Sequence, residues 1–492
     1  MQTTTIKTTI AHRAKRVNRA VLLGSSLALG LALTSTAVFA APPVTNFEYD
    51  ANGNLTKITD GLGHATVQQY DALNRLTQQS QPHPTNATGQ LGTILTQYNA
   101  IDQVTAVTDP RSLATTYAPN AYGEVLSLTS PDTGATSNTY DSAGNLKTKT
   151  DAKGQLTTYS YDALNRLTQA VYAGGQTISY AYDQGINGAG RLTSITDSTG
   201  STAYAYDNRG RVVTEARTIN TLVYTTTYAY NTAGQLSGVA YPTGLVLTYT
   251  RDNLGRVSQI SSTKNNQTQV LASNIAYQPF GGVKSFSFGN GATHTRSFDT
   301  DNRLTSYSLG TKIINIDYDL ASRIVAATNA ANSTDSKTYA YDNLDRLTSF
   351  IAPTTNQGYG YDLTGNRTSL TIGANNYSNT IAASSNRLSA TTGPTAKTNS
   401  FDSNGSITAD TVNQFTYDSR GRLTQSIGAL GTTNYGINAL GQRVVKTRTG
   451  TSPINTVYHY DLNGQQIAET DTNGIIKQET VYLGNMPLAV LQ

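Results

Sequence analysis

The chain of 492 residues has no cysteine, no tryptophan and only two methionines. Without cysteine there is no disulfide framework, no thiolate metal site and no cysteine nucleophile. Charged residues make up 13%, about half the usual share. That scarcity excludes a long, salt-bridge-laced helix or coiled coil. Long apolar runs are scarce too. The longest, Val21–Leu33 (VLLGSSLALGLAL), falls short of the ~20 residues that span a bilayer. What the chain has instead is glycine (42), tyrosine (31) and abundant threonine and serine, a mixture suited to strands and turns.

The apolar run follows a basic stretch, Lys7, Arg13, Lys15, Arg16 and Arg19, and precedes Val38-Phe39-Ala40. Compact residues at the −3 and −1 positions make residues 1–40 an expected secretory signal peptide cut after Ala40, with a transmembrane anchor as the alternative that the short run disfavours. Residues 41–492 then carry 30 basic and 31 acidic side chains, a net charge of −1. No basic stripe remains, so nucleic acid is not an expected partner. No membrane span is expected after cleavage. The expected location is secreted, periplasmic or at the cell surface. With no disulfides, stability must come from burial and a continuous hydrogen-bonded sheet.

One string, YDALNRLTQ, occurs at Tyr70–Gln78 and again at Tyr161–Gln169. In looser form it is an aromatic residue, Asp or Asn, two variable residues, Gly or Asn, a polar residue and then Leu, Ile or Val. About twenty copies run from Tyr49 to the C-terminus, most often 21 residues apart. Asp or Asn favours the first position of a type I turn, because its side chain accepts backbone N–H bonds two residues on. Three positions later the chain must turn left-handed to continue as a bulged hairpin, which Gly, Asn and Asp tolerate. The predicted hairpin tips therefore include Asp50 and Gly53, Asp71 and Asn74, Asp141 and Gly144, Asp162 and Asn165, Asp207 and Gly210, Asp342, and Asp418 and Gly421. A second turn falls about midway between tips, as at Asp60–Gly63, Asp151–Gly154 and Asp197–Gly200. The tip-exit arginines, such as Arg166 and Arg346, are expected on the rim beside tip aspartates.

Tyr-x-Tyr precedes many tips, as at Tyr159/Tyr161, Tyr204/Tyr206, Tyr228/Tyr230 and Tyr339/Tyr341. Residues two apart share a strand face, so each pair can pack across strands or, if exposed, stack on a ligand such as a sugar. Packing is the favoured reading. His64, His83, His294 and His459 show no metal-ligand spacing and read as scattered surface or lining residues. No phosphate loop and no Gly-x-Ser-x-Gly elbow is present. Neither a catalytic constellation nor a cofactor is expected.

Tyr-Asp-x-x-Gly-Arg-Leu at this spacing resembles the YD repeat of the Rhs family, which includes bacterial Rhs toxins, insecticidal toxin-complex C components and teneurins. The resemblance covers nearly all of residues 41–492. It implies an all-β fold: a repetitive antiparallel β-hairpin meander wound as a curved or spiral strip. The family's shells enclose polypeptide toxins, so the implied partner is another polypeptide, a toxin or a shell-completing chain. A non-enzymatic scaffold is expected, with a surface-glycan-binding or adhesion protein as the alternative. The Rhs self-cleavage segment is not matched, since the only Asp-Pro, Asp109-Pro110, lies in mid-array. At ~4.8 Å per strand, twenty hairpins give a strip of about 190 Å. That suffices for about one wide turn, incomplete as a closed cage, with Leu488–Leu491 left as a bare apolar edge.

Overall fold

A computed structural model of the chain describes residues 43–85, 90–279 and 281–492. The expected signal peptide lies outside the described residues. The described residues form 43 short strands, from β1 (Asn46–Tyr49) to β43 (Met486–Leu491), with two short 3₁₀ turns. Runs of Thr, Ser, Tyr and Val between Asp/Gly turns give strands of mostly five to seven residues, as branched and aromatic side chains fit a pleated surface.

With one break, each strand pairs antiparallel with the next in the chain. β1 to β33 (Lys397–Thr398) make a 33-stranded sheet, and β34 (Ser400–Phe401) to β43 make a ten-stranded one. β1 pairs with β2 (Leu55–Thr59) and β43 with β42 (Ile476–Leu483), and the strip does not close into a barrel. In β9 (Gly134–Tyr140) exposed and half-buried residues alternate, the pattern of a single-layered sheet with one face partly covered.

The strip winds past its own start. Gly61 lies so close to the Leu320 carbonyl that no side chain would fit there. Asn343 Nδ2 donates to the carbonyls of His83 (2.9 Å) and Thr85 (2.8 Å). Arg111 donates to the carbonyls of Ser385 (2.7 Å) and Ala382 (2.8 Å). The Asn386 N–H donates to Asp132 Oδ1 at 2.6 Å, and Asn404 Nδ2 to Asp151 Oδ2 at 2.6 Å. These pairs lie 253 to 274 residues apart in sequence. In each, a mid-turn of the earlier wrap meets a YD tip of the later one.

The expectation of a single wide turn is therefore corrected. Between Gly61 and Leu320 lie 23 strands, Ala65–Tyr70 through Lys312–Tyr318, or about 110 Å of strip at ~4.8 Å per strand. Strand twist and the bulge at every tip tighten the curvature, which a flat strand count leaves out.

Towards the C-terminus the later wrap moves over the face of the earlier one. The sequence separation across the contact falls to 239 at Tyr241–Thr480 and to 190 at Arg296–Met486. Here two sheet layers enclose a core. Val239, Leu245, Leu247, Ile260, Leu271 and Phe286 of the earlier wrap pack with Ile467, Val481, Leu483 and Leu488 of the later one. Burying such a side chain is worth about 1.5–3 kcal/mol. The expected bare apolar edge at Leu488–Leu491 is also corrected, because Leu488 is only 8% exposed and Ala489 and Leu491 pack against this core. Val490 remains exposed.

Candidate functional site

The repeated tip is the element from which everything else is built. In the unit at Asp162 the Asp Oδ1 accepts the N–H groups of Leu164 and Arg166, each at 2.9 Å. The Asn165 N–H donates to the Asp162 carbonyl, and the Asp162 N–H to that of Arg166. The register slips by one between Ser160 and Tyr161, so that Tyr161 faces Leu167. Asp50, Asp71, Asp141, Asp207, Asp342 and Asp418 hold the same two N–H groups, two and four residues on. Three residues after the Asp, φ is positive in every case: Gly53 (+85°), Asn74 (+61°), Gly144 (+80°), Asn165 (+59°), Gly210 (+78°), Asp345 (+61°) and Gly421 (+74°).

These hydrogen bonds hold five of the carboxyls below the usual aspartate range. The main cause is the residue four positions on. It acts through its side chain at Asp50, Asp71 and Asp207, and through its backbone N–H at Asp141 and Asp162.

The tyrosine before each tip reaches back to the preceding repeat. Tyr161 donates its hydroxyl to the Leu146 carbonyl at 2.9 Å, Tyr206 to Leu192 at 2.5 Å, Tyr230 to Val212 at 3.0 Å and Tyr341 to Ile324 at 2.8 Å. The acceptor is the first residue of the previous exit strand, where a hairpin edge would otherwise leave a free carbonyl. The exit arginine completes the latch. Arg166 binds its own tip through Asp162 (2.6 Å), lies 4.4 Å above the Tyr182 ring of the next repeat, and reaches the next tip at Asp183 (2.6 Å). Arg211 and Arg323 cover Tyr230 and Tyr341 in the same way, at 4.3 and 4.9 Å. Thus Tyr, Asp, Gly and Arg of the consensus each have a partner in the strip.

Arg251 stands where the tyrosine belongs and keeps the latch, its Nη2 donating to the Leu236 carbonyl at 2.6 Å. Its role needed the neighbouring carbonyl, which sequence does not display.

The remaining candidate aromatics sit one step inside the latch. Tyr159, Tyr204 and Tyr339 are half-buried, and Tyr339 packs on Phe350 with ring centroids 5.6 Å apart. Burial pushes the Tyr159 and Tyr204 hydroxyls up to about 12. Tyr228 is buried beneath the later wrap, and its hydroxyl accepts the Leu462 N–H at 3.2 Å. Of the eight rings considered for ligand stacking, four spend their hydroxyls on inter-repeat latches and a fifth is covered.

Two features were not foreseen. Between the layers lies a pocket of about 360 Å³, lined by Tyr228, Tyr241, Tyr249, Arg251, Asp461 and Tyr482 among others. Beside it is a buried charged cluster. Arg217 bonds Glu215 at 2.7 Å and Gln442 of the later wrap at 2.8 Å. His459 packs against Tyr224 with tilted rings, centroids 4.3 Å apart, and shares a 3.0 Å hydrogen bond with Thr470. Burial, assisted by Arg217, pulls His459 down to about 4. The reading of His459 as a surface or lining residue is corrected, since it is 2% exposed. Its alternation with Tyr458 and Tyr460 was the available signal, but nothing in the sequence marked which wrap would cover it. Among the described residues no group of three or more His, Asp or Glu is placed to hold a metal ion. None of their helices is long and apolar enough to cross a membrane.

Five stretches, residues 49–83, 98–135, 140–177, 187–220 and 230–267, match the family model described as RHS Repeat, and residues 284–470 match the Teneurin YD-shell. The chain belongs to the Rhs/YD-repeat family. Among solved structures, this Rhs/YD strip is similar to TcdB2-TccC3, with a TM-score of 0.72 at 16% identity over 91% of this chain and 31% of that one. It is likewise similar to the Photorhabdus luminescens Tc holotoxin pore, with a TM-score of 0.71 at 15% identity over 91% and 30%. At such identities the likeness is one of fold. The chain spans about a third of the length of those chains. No curated protein matches it in sequence.

Proposed function

We propose that this chain is a secreted, non-enzymatic Rhs/YD-repeat scaffold, forming part of a β-shell that shields or presents another polypeptide. The observation that carries the reading is the overlapping strip in which the repeat's recurrent polar residues are committed to holding neighbours together. Tip Asp, latch Tyr and exit Arg bond one another or the backbone, which leaves them no free chemistry to perform. A curved sheet with one half-covered face acts sterically, by holding a guest away from proteases and partners. Likeness of fold to toxin-complex chains supports a toxin-related guest.

The test is co-expression with the polypeptide encoded beside it, followed by limited proteolysis. Protection of that polypeptide in the presence of the chain is expected. Digestion at one rate with and without the chain would remove the proposal. A glycan array with the mature chain addresses the rival reading, which the latched hydroxyls of Tyr161, Tyr206, Tyr230 and Tyr341 do not favour.

A further inference from the structure

The seam between wraps has two unlike halves, and the chain carries a free copy of each. Within the molecule, mid-turns of the earlier wrap receive YD tips of the later one. The third tip residue then lies against the neighbour: Leu344, Thr364, Asn404 and Arg420 of the later wrap are all half-buried. On the earlier wrap the tips face away from that seam. The apolar residues there, Leu73, Ile101, Tyr122, Leu164 and Ile186, are 56% to 91% exposed. All but Ile186 hold the same third position, and Ile186 sits in the longer tip that follows Asp183. A row of large apolar side chains along one edge of a sheet is unusual unless it meets a partner. The complementary edge, the mid-turns of the later wrap, exposes Ile372, Val412 and Leu430.

We infer that these two edges belong together between molecules: the free tip edge of one copy docks on the free mid-turn edge of a second copy. The joint continues an interface the chain already makes with itself over 253 to 274 residues of separation. It is heterologous, so copies add head to tail, into a ring or an open filament, and assembly grows beyond a dimer. It needs no guest polypeptide.

Sedimentation velocity on the purified chain over a concentration series tests this. The wild type is expected to shift progressively to species larger than a dimer. The variant Tyr122→Asp/Leu164→Asp blocks the tip edge, and Val412→Asp/Leu430→Asp blocks the mid-turn edge. Each should remain monomeric at concentrations at least tenfold above those at which the wild type associates. Mixed together they retain one good edge each and should form dimers and nothing larger. Leu95→Asp, also exposed but in the interior of the strand Gln90–Tyr98 and away from both edges, should associate like the wild type. Thermal melts confirm that each variant is folded, and the mixing arm itself requires both to be. A wild type that stays monomeric, blocked variants that associate like it, or a mixture that gives no dimers would each overturn the inference. Because no guest is present, failure here leaves the shielding reading standing, and failure of shielding leaves this joint standing.

Discussion

At the scale of the residue, the repeat is a set of four commitments. Asp fixes the turn, Gly or Asn supplies positive φ, Tyr reaches back and Arg reaches forward. Gly144 sits at φ +80° with open space around it, the nearest atom to an added Cβ being a glutamate oxygen at 3.4 Å. Any penalty for substitution there is conformational rather than steric. Gly144→Val should lower stability by about 1 kcal/mol or more, because a β-branched residue resists positive φ. Gly144→Asn should be nearly neutral, since Asn74 and Asn165 already occupy that position. Thermal melts of the two variants check the contrast. Tyr161→Phe keeps the ring and removes the donor to the Leu146 carbonyl. A loss of about 0.5–1.5 kcal/mol is expected in denaturant titration, and a loss close to zero would mean that water serves that carbonyl as well.

At the scale of the element, the hairpin was legible because its requirements are local. At a tip, the Asp and the Gly or Asn three residues on fix the bulged turn through bonds made within the tip itself. The latch was not legible, because its acceptor is a backbone carbonyl one repeat earlier and carries no side-chain signature. Arg251 shows the consequence: in sequence it looks like a degenerate tyrosine, yet it makes the same bond. The covered strand at His459 was hidden for a different reason, since its burial depends on the later wrap crossing the earlier one. That burial has a pH signature. His459 is held near 4 against an unfolded value near 6.5, so the unfolded chain binds the proton first as pH falls. Stability from this group is fully present above about 6.5 and is lost on acidification towards 4, amounting to about 3 kcal/mol. Glu215 beside Arg217 is pushed up by burial and contributes in the opposite sense. The clean measurement is therefore the difference between wild type and His459→Gln in denaturant titrations from pH 7 to pH 4. The gap should narrow or reverse as pH falls, and a constant gap would place the histidine in contact with solvent.

At the scale of the whole strip, the number of repeats could be counted in the sequence, but the circumference could not. Curvature accumulates from twist and bulges over 23 strands, and a small change per strand decides where the wraps meet. Repeats that touch only their neighbours are coupled only one to the next, so contacts across the seam are what couple distant hairpins directly. Arg111 is one such contact. It bonds the Ser385 and Ala382 carbonyls and Asn386 Oδ1, and it lies 3.5 Å from Asp362. Replacing it by alanine takes the donor from the carbonyl of buried Ser385 at a tip of the later wrap, a cost of about 1–3 kcal/mol. The damage should appear far away in sequence. Amide exchange is expected to quicken in Asn375–Ile381 and Leu388–Thr392, the strands flanking that tip. It should stay slow in Ile454–Tyr460 and Gln466–Thr470, which the core holds. Faster exchange only around residue 111 would mean that the wraps touch without supporting each other. Uniformly faster exchange would mean that the seam and the core unfold as one unit.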